Sequence, residues 1–284
     1  MLMPPQTFGF NYVTGNVITV RPGSAGFGTS ITPAQNSFGS YTEILSDTSV
    51  TRDCYAILIN VNSIFTATQA KDSLTTIGID TAGGTSYVDL IPNLLTSCAG
   101  DYGAKGGIWY YFPVYIPAGS AIAAKGSVNN ATVGTQRVAI WLYGAPTNPE
   151  SLIYGHGVES VGITAASSCG TTVTSGTVSE GSWTSLGTTA KKWIACTCGM
   201  GINDGTMSSG NIHHADISYG DGTNQIMLDM DRGFTISTTS EDLNTRGGLY
   251  APFCNVPAGS TIYGRLQVNG TADSGLSMAA YGVY

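Results

Sequence analysis

The sequence predicts an all-β protein built from two tandem, internally duplicated antiparallel β-sandwich domains of jelly-roll type. Three observations predict it. A repeat at an offset near 140 residues covers most of the chain. No stretch of a dozen residues carries a helical period, whereas short β-branched or aromatic runs recur between clusters of Gly, Asn, Asp, Ser and Pro, which is the pattern of strands and turns. Charged residues are only 10% of the 284, and 38 glycines help take their place; an ordinary soluble domain is about 25% charged.

The repeat is plainest at a turn. Ile116-Pro117-Ala118-Gly119-Ser120 returns 140 residues later as Val256-Pro257-Ala258-Gly259-Ser260. From there the match runs without a gap to the C-terminus, pairing Ile122 with Ile262, Lys125 with Arg265 and Trp141 with Tyr281. Upstream, Gly83-Gly84-Thr85 matches Asp221-Gly222-Thr223, with Val88 and Leu90 falling on Ile226 and Leu228. Gly39-Ser40-Tyr41-Thr42 matches Gly181-Ser182-Trp183-Thr184, and Tyr12 falls on Tyr154. The joint lies in Gly144-Ala145-Pro146-Thr147-Asn148-Pro149-Glu150, the best linker by composition. Residues 1–146 are the expected first domain and 147–284 the second.

Strands are expected in the first half at 17–20, 41–44, 55–59, 75–80, 87–90, 109–114, 121–127 and 136–143. The last alternates most clearly, with Val138, Ile140 and Leu142 on one face and Arg137, Ala139 and Trp141 on the other. Second-half strands are expected at 182–186, 193–198, 215–218, 225–228, 249–255, 261–268 and 275–283. In each Pro-Ala-Gly-Ser turn, Pro presets one φ and Gly can supply a positive one. Burying a large aromatic is worth ~1.5–3 kcal/mol, so Trp109, Trp141, Trp183 and Trp193 are expected as core or interface anchors. Residues 1–39 read as an arm rich in Gly, Ser and Pro whose aromatics Phe8, Phe10, Tyr12 and Phe27 would dock on a neighbouring subunit.

Charge and cysteine usage narrow the function. The formal charge is −7 and the basic residues are scattered, so no stripe exists for a phosphate backbone and no nucleic-acid partner is expected. The N-terminus has neither the basic nor the apolar segment of a secretory signal. Apolar runs are too short to span a bilayer, so no membrane partner is expected. Cys54, Cys98, Cys169, Cys196, Cys198 and Cys254 contain no C-x-x-C; they read as reduced, half-buried thiols or as disulfides within or between chains.

Catalytic patterns are scarce. G-x-S-x-G, a Walker A loop and H-E-x-x-H are absent. His213 and His214 would point to opposite sides of a strand and could not easily share a metal. Asp229 and Asp231 suggest a pair on one strand face, and Gly220-Asp221-Gly222 a hairpin turn. No cofactor, metal or catalytic residue is expected, and the chain reads as a non-enzyme.

Each half resembles the auxiliary β-sandwich proteins of tailed-bacteriophage virions: decoration, collar and tail-associated proteins. The resemblance is carried by the apolar-Pro-Ala-Gly-Ser turns, the aromatic run Trp109-Tyr110-Tyr111-Phe112, the closing Trp141-Leu142-Tyr143, and Val88-Asp89-Leu90-Ile91-Pro92-Asn93-Leu94-Leu95. It implies a structural protein made in the host cytoplasm and carried in the virion, where repeated contacts decorate or reinforce head, neck or tail. Its expected partners are other virion proteins and itself. Three two-domain copies would supply six similar domains for a six-fold or twelve-fold ring. The alternative is a receptor- or carbohydrate-binding module of a host-attachment apparatus, binding surface glycan. Tyr110, Tyr111 and Tyr115 are its candidate contacts, although Ala251 and Asn255 replace Tyr111 and Tyr115 in the second half.

Overall fold

The computed structural model describes residues 17–20, 28–64, 73–96, 107–129, 134–144, 153–168, 170–177, 179–202, 211–236, 243–245, 249–271 and 275–284. The proposed arm contacts Phe8, Phe10, Tyr12 and Phe27 lie outside these residues, as do Cys98 and Cys169. Among the described residues all regular structure is β, apart from a 3-10 turn at Asp47–Ser49.

The first half supplies β1 (Val17–Val20), β2 (Thr29–Ile31), β3 (Ala34–Gln35), β4 (Thr42–Leu45), β5 (Cys54–Ile64), β6 (Ser73–Asp80), β7 (Val88–Leu95), β8 (Ile108–Phe112), β9 (Ala121–Val128) and β10 (Thr135–Gly144). The second supplies β11 (Val158–Val161), β12 (Thr171–Thr172), β13 (Ser175–Gly176), β14 (Thr184–Thr188), β15 (Trp193–Ile202) and β16 (Ile212–Gly220). It continues through β17 (Gln225–Ile236), β18 (Leu243–Thr245), β19 (Leu249–Tyr250), β20 (Phe253–Val256), β21 (Thr261–Val268) and β22 (Leu276–Val283).

Strand order repeats with the sequence. One sheet runs β1-β10-β5-β8 and its second-half counterpart β11-β22-β15-β20; the facing sheets run β3-β9-β6-β7 and β13-β21-β16-β17. Pairing is antiparallel except for β3 on β9, β13 on β21 and β19 on β8. The tandem β-sandwich class is therefore what the chain adopts. Both Pro-Ala-Gly-Ser turns close by the same bond, Ser120 N–H to Pro117 O at 3.3 Å and Ser260 N–H to Pro257 O at 3.4 Å. Proline thus takes the turn's first position, one earlier than its φ preference suggested. Gly119 and Gly259 follow at φ +79° and +81°, and a Cβ at either position would meet no atom within 4 Å; glycine is needed there for conformation, not space.

Equivalent side chains also meet equivalent partners. Lys125 Nζ lies 4.5 Å from the centre of the Tyr41 ring, and the Arg265 guanidinium 4.3 Å from that of Trp183. Each cation also pairs with a carboxylate, Lys125 with Asp89 at 2.8 Å and Arg265 with Asp216 at 2.9 Å. Trp183 is therefore the half-buried stacking partner of an arginine, while Trp193 is the fully buried anchor that the sequence suggested.

One expected strand breaks. Residues 249–255 divide at Pro252, which has no N–H to give a ladder. β19 pairs in parallel with β8 of the first half, and β20 pairs with β15 of its own half. The halves are joined further by Tyr281 of β22. Its hydroxyl accepts the Leu95 N–H at 2.7 Å and donates to Asn93 O at 3.0 Å, beside the edge-on ring of Tyr110. Gly199 makes room, because a Cβ there would stand 2.5 Å from the Tyr110 hydroxyl. Most buried apolar residues of both halves consequently share one core, while Ala56, Tyr111 and Tyr143 form a small separate cluster on the outer face of the first-half sheet.

Candidate functional site

The strongest candidate site is built where three extended segments lie side by side. Cys54 and Ile116 exchange both backbone hydrogen bonds at 2.8 Å, which brings the start of β5 against the segment after β8. Tyr115 N–H bonds to Gly155 O at 2.8 Å, and Gly155 N–H to Pro113 O at 2.9 Å, laying the segment 153–157 alongside. The His156 N–H then bonds to Tyr284 O at 2.7 Å. Gly155 is required by this close approach: a Cβ would stand 2.6 Å from Val283 Cγ1.

The result is a surface cluster of aromatic rings. Tyr55 and Tyr154 meet edge-on at 4.9 Å, Tyr55 and Tyr115 at 5.5 Å, and Tyr115 and Tyr154 at 5.8 Å between ring centres. His156 adds its imidazole 5.9 Å from Tyr154 and 6.1 Å from Tyr115. The tyrosines are half-buried, whereas His156, Ile153 and Asp53 are exposed. Asp53 is held in place by the Ala118 N–H at 2.9 Å, so the repeated turn also fixes the acid beside the rings.

Electrostatics keep the Tyr55 and Tyr115 rings neutral. Burial, then the Asp53 charge and its hydrogen bond, raise the Tyr115 hydroxyl above its ordinary value. Burial and Asp53 do the same to Tyr55. Both remain phenols at neutral pH, able to donate and accept hydrogen bonds. An apolar surface of mutually tilted rings, with hydroxyls, a carboxylate and an imidazole beside them, suits a ligand with apolar C–H faces and a rim of hydroxyl groups.

Of the suggested glycan contacts, only Tyr115 belongs to this cluster. Tyr110 is fully buried at the junction between halves, and Tyr111 is buried against Tyr143 on the outer face of β8 and β10. Trp109 and Trp141 stack on that same face at 5.2 Å and are half-buried. Sequence reasoning missed Tyr55, Tyr154, His156 and Asp53 as partners. The available signal was an aromatic and a histidine, Tyr154 and His156, just beyond a linker.

The remaining expected sites fall elsewhere. His213 is buried and His214 half-exposed, on opposite sides of β16. Asp229 and Asp231 are not a face-sharing pair. Asp231 sits in a bulge at φ +56° with its side chain exposed, while Asp229 is buried and bound to Arg232 at 2.5 Å. Asp221 caps its own hairpin, accepting the Thr223 and Asn224 amides at 2.9 and 2.6 Å. Cys54, Cys196, Cys198 and Cys254 are free thiols, with Cys196 and Cys254 hydrogen-bonded to each other across β15 and β20. Among the described residues no three His, Cys, Asp or Glu side chains are placed to hold a metal.

No family model matches the chain, and no curated protein matches it in sequence. Solved structures do resemble it. N-glycanase F (PNGase F) is 12% identical over 90% of this chain and 95% of its own, with a TM-score of 0.34. A glycosylasparaginase, PNGase F from Flavobacterium meningosepticum, is 12% identical over the same shares at a TM-score of 0.30. The N-terminal CBM22-1–CBM22-2 tandem domain of Paenibacillus barcinonensis Xyn10C is 11% identical over 94% of this chain and 88% of its own, at 0.27. Likeness at this level transfers no residue role or activity. It does correct the expectation of a non-enzyme, because chains resembling this one include an N-glycanase; the build of the chain gives no ground for excluding catalysis.

Proposed function

We propose that the chain is a carbohydrate- or receptor-binding module whose ligand surface is the Tyr55–Tyr115–Tyr154 cluster. The observation that carries this reading is three tyrosine rings within 4.9–5.8 Å of one another at the surface, with Asp53 beside them. A sugar ring offers C–H groups to an aromatic face and hydroxyls to a carboxylate, and this surface supplies both. The name of one structural neighbour, a tandem of carbohydrate-binding modules, is compatible with it. No structural observation favours the phage-particle decoration that the resemblance implied, so binding is the reading advanced.

A glycan array with the full chain tests this. Binding to a defined set of oligosaccharides is expected, lost by at least about tenfold in Tyr115→Ala and Tyr154→Ala variants, in keeping with aromatic anchors at binding surfaces. An array without specific binding, or binding that survives both substitutions, would rule the site out.

A further inference from the structure

The duplication makes one face of each half equivalent, yet the two faces have different fates. Tyr281 and Trp141 are the same position of the repeat, on β22 and β10. Tyr281 is buried, because the outer face of the β22–β15 sheet is pressed against the first half. Trp141 occupies the corresponding outer face of the β10–β5 sheet and is half-buried, stacked on Trp109.

The strand bulge that receives Tyr281 is duplicated too. Tyr281 seats on a bulge of β7 at Asn93, whose φ is +58° and whose N–H is held by Thr76 Oγ1 at 3.0 Å. The same bulge recurs on β17, 138 residues later, at Asp231. There φ is +56° and the N–H is held by Asp216 Oδ1 at 2.8 Å. In the first half the bulge is covered by Tyr281; in the second it is bare, with Met230 60% exposed and the Asp231 side chain 73% exposed.

We infer that copies of this chain associate head to tail, the Trp141 face of one seating on the Met230–Asp231 bulge of the next. The contact inside the chain is the template: one docking step repeated from half to half, then from chain to chain. Chemistry at the two surfaces is complementary. An indole N–H only donates, and Asp231 offers an exposed carboxylate to accept. Met230 supplies an adaptable apolar surface for the rings. Because the two surfaces differ, the contact is heterologous, and repeating it yields a closed ring or an open filament according to the rotation it imposes.

Sedimentation velocity on the full chain, with Trp141→Glu and Met230→Glu variants checked for folding by circular dichroism, provides the test. The wild type is expected to form concentration-dependent assemblies, and each variant to weaken them at least about tenfold. Mixing the two variants is the discriminating step. One retains the bulge and the other the Trp141 face, so an equimolar mixture should give pairs that grow no further. A wild type that stays monomeric at all concentrations would overturn the inference. So would assembly untouched by either substitution, or a mixture that forms no pairs although each variant alone is blocked, since that marks a self-complementary contact instead. None of these readouts depends on glycan binding.

Discussion

Cys196 and Cys254 show how neighbouring strands can give two identical side chains opposite chemistry. Cys196 is buried in β15 and donates to Cys254, so its own thiol is held well above its ordinary value. Cys254, half-buried on β20, gains that hydrogen bond and is pulled below its ordinary value. Burial pushes the Cys54 thiol up to about 12, and raises Cys198 as well. The thiolate is the reactive form, and a lowered value means more thiolate at neutral pH. Among the four described cysteines Cys254 is therefore expected to alkylate first when the native chain meets iodoacetamide, with Cys54, Cys196 and Cys198 protected until unfolding. Peptide mapping after a timed pulse reads this directly; equal labelling of the four would contradict the arrangement. The same scale explains the limits of residue-by-residue reading. Tyr115 was legible as a candidate contact as one of the tyrosines at 110–115, although its replacement by Asn255 in the second half spoke against a site shared by both halves. Tyr55, Asp53 and Tyr154 were not, since the three segments that carry them are brought together only by backbone bonds between distant parts of the chain.

Strands were legible where their signal is local. Alternation identified β10, and the repeated turn located β9 and β21 to within a residue or two. The short strands β2, β3, β11, β12 and β13 escaped, because two to four residues carry too little pattern and pair only along edges that the rest of the fold provides. Pro252 was visible in the sequence, but its consequence, β19 leaving for the other half, depends on β8 standing nearby. At this scale the junction rests on β22. Removing the Tyr281 hydroxyl in Tyr281→Phe would leave the Leu95 amide buried without its acceptor. A loss of about 1–3 kcal/mol is expected from such an orphaned donor. Trp141→Phe, at the matching half-buried position, removes no such bond and is expected to cost less. Urea denaturation of the two variants side by side measures the difference, and equal midpoints would mean that the hydroxyl contributes nothing to the joint.

At the scale of the whole molecule, duplication and cooperativity pull in different directions. Two β-sandwiches with the same strand order are each large enough to hold a core, and independent halves would melt separately. Several contacts oppose that independence. Apolar residues of both halves share one core cluster, β19 of the second half extends a first-half sheet, and Tyr281 satisfies the backbone of β7. Ser127 Oγ also donates to Ala166 O at 2.7 Å, and Asn93 Nδ2 to Ser160 Oγ at 3.3 Å. Unfolding either half would expose the buried aromatic face of the other, so partly unfolded chains carry a cost that neither sandwich would meet alone. The chain is accordingly expected to unfold in a single transition. Tryptophan fluorescence and far-ultraviolet circular dichroism followed through one urea titration should give coincident curves, with a slope appropriate to the full 284 residues. Tyr281→Phe should move the fluorescence and dichroism curves together. Two separated transitions in the unaltered chain would instead mean that the shared core and the β19 crossover are too weak to couple the halves.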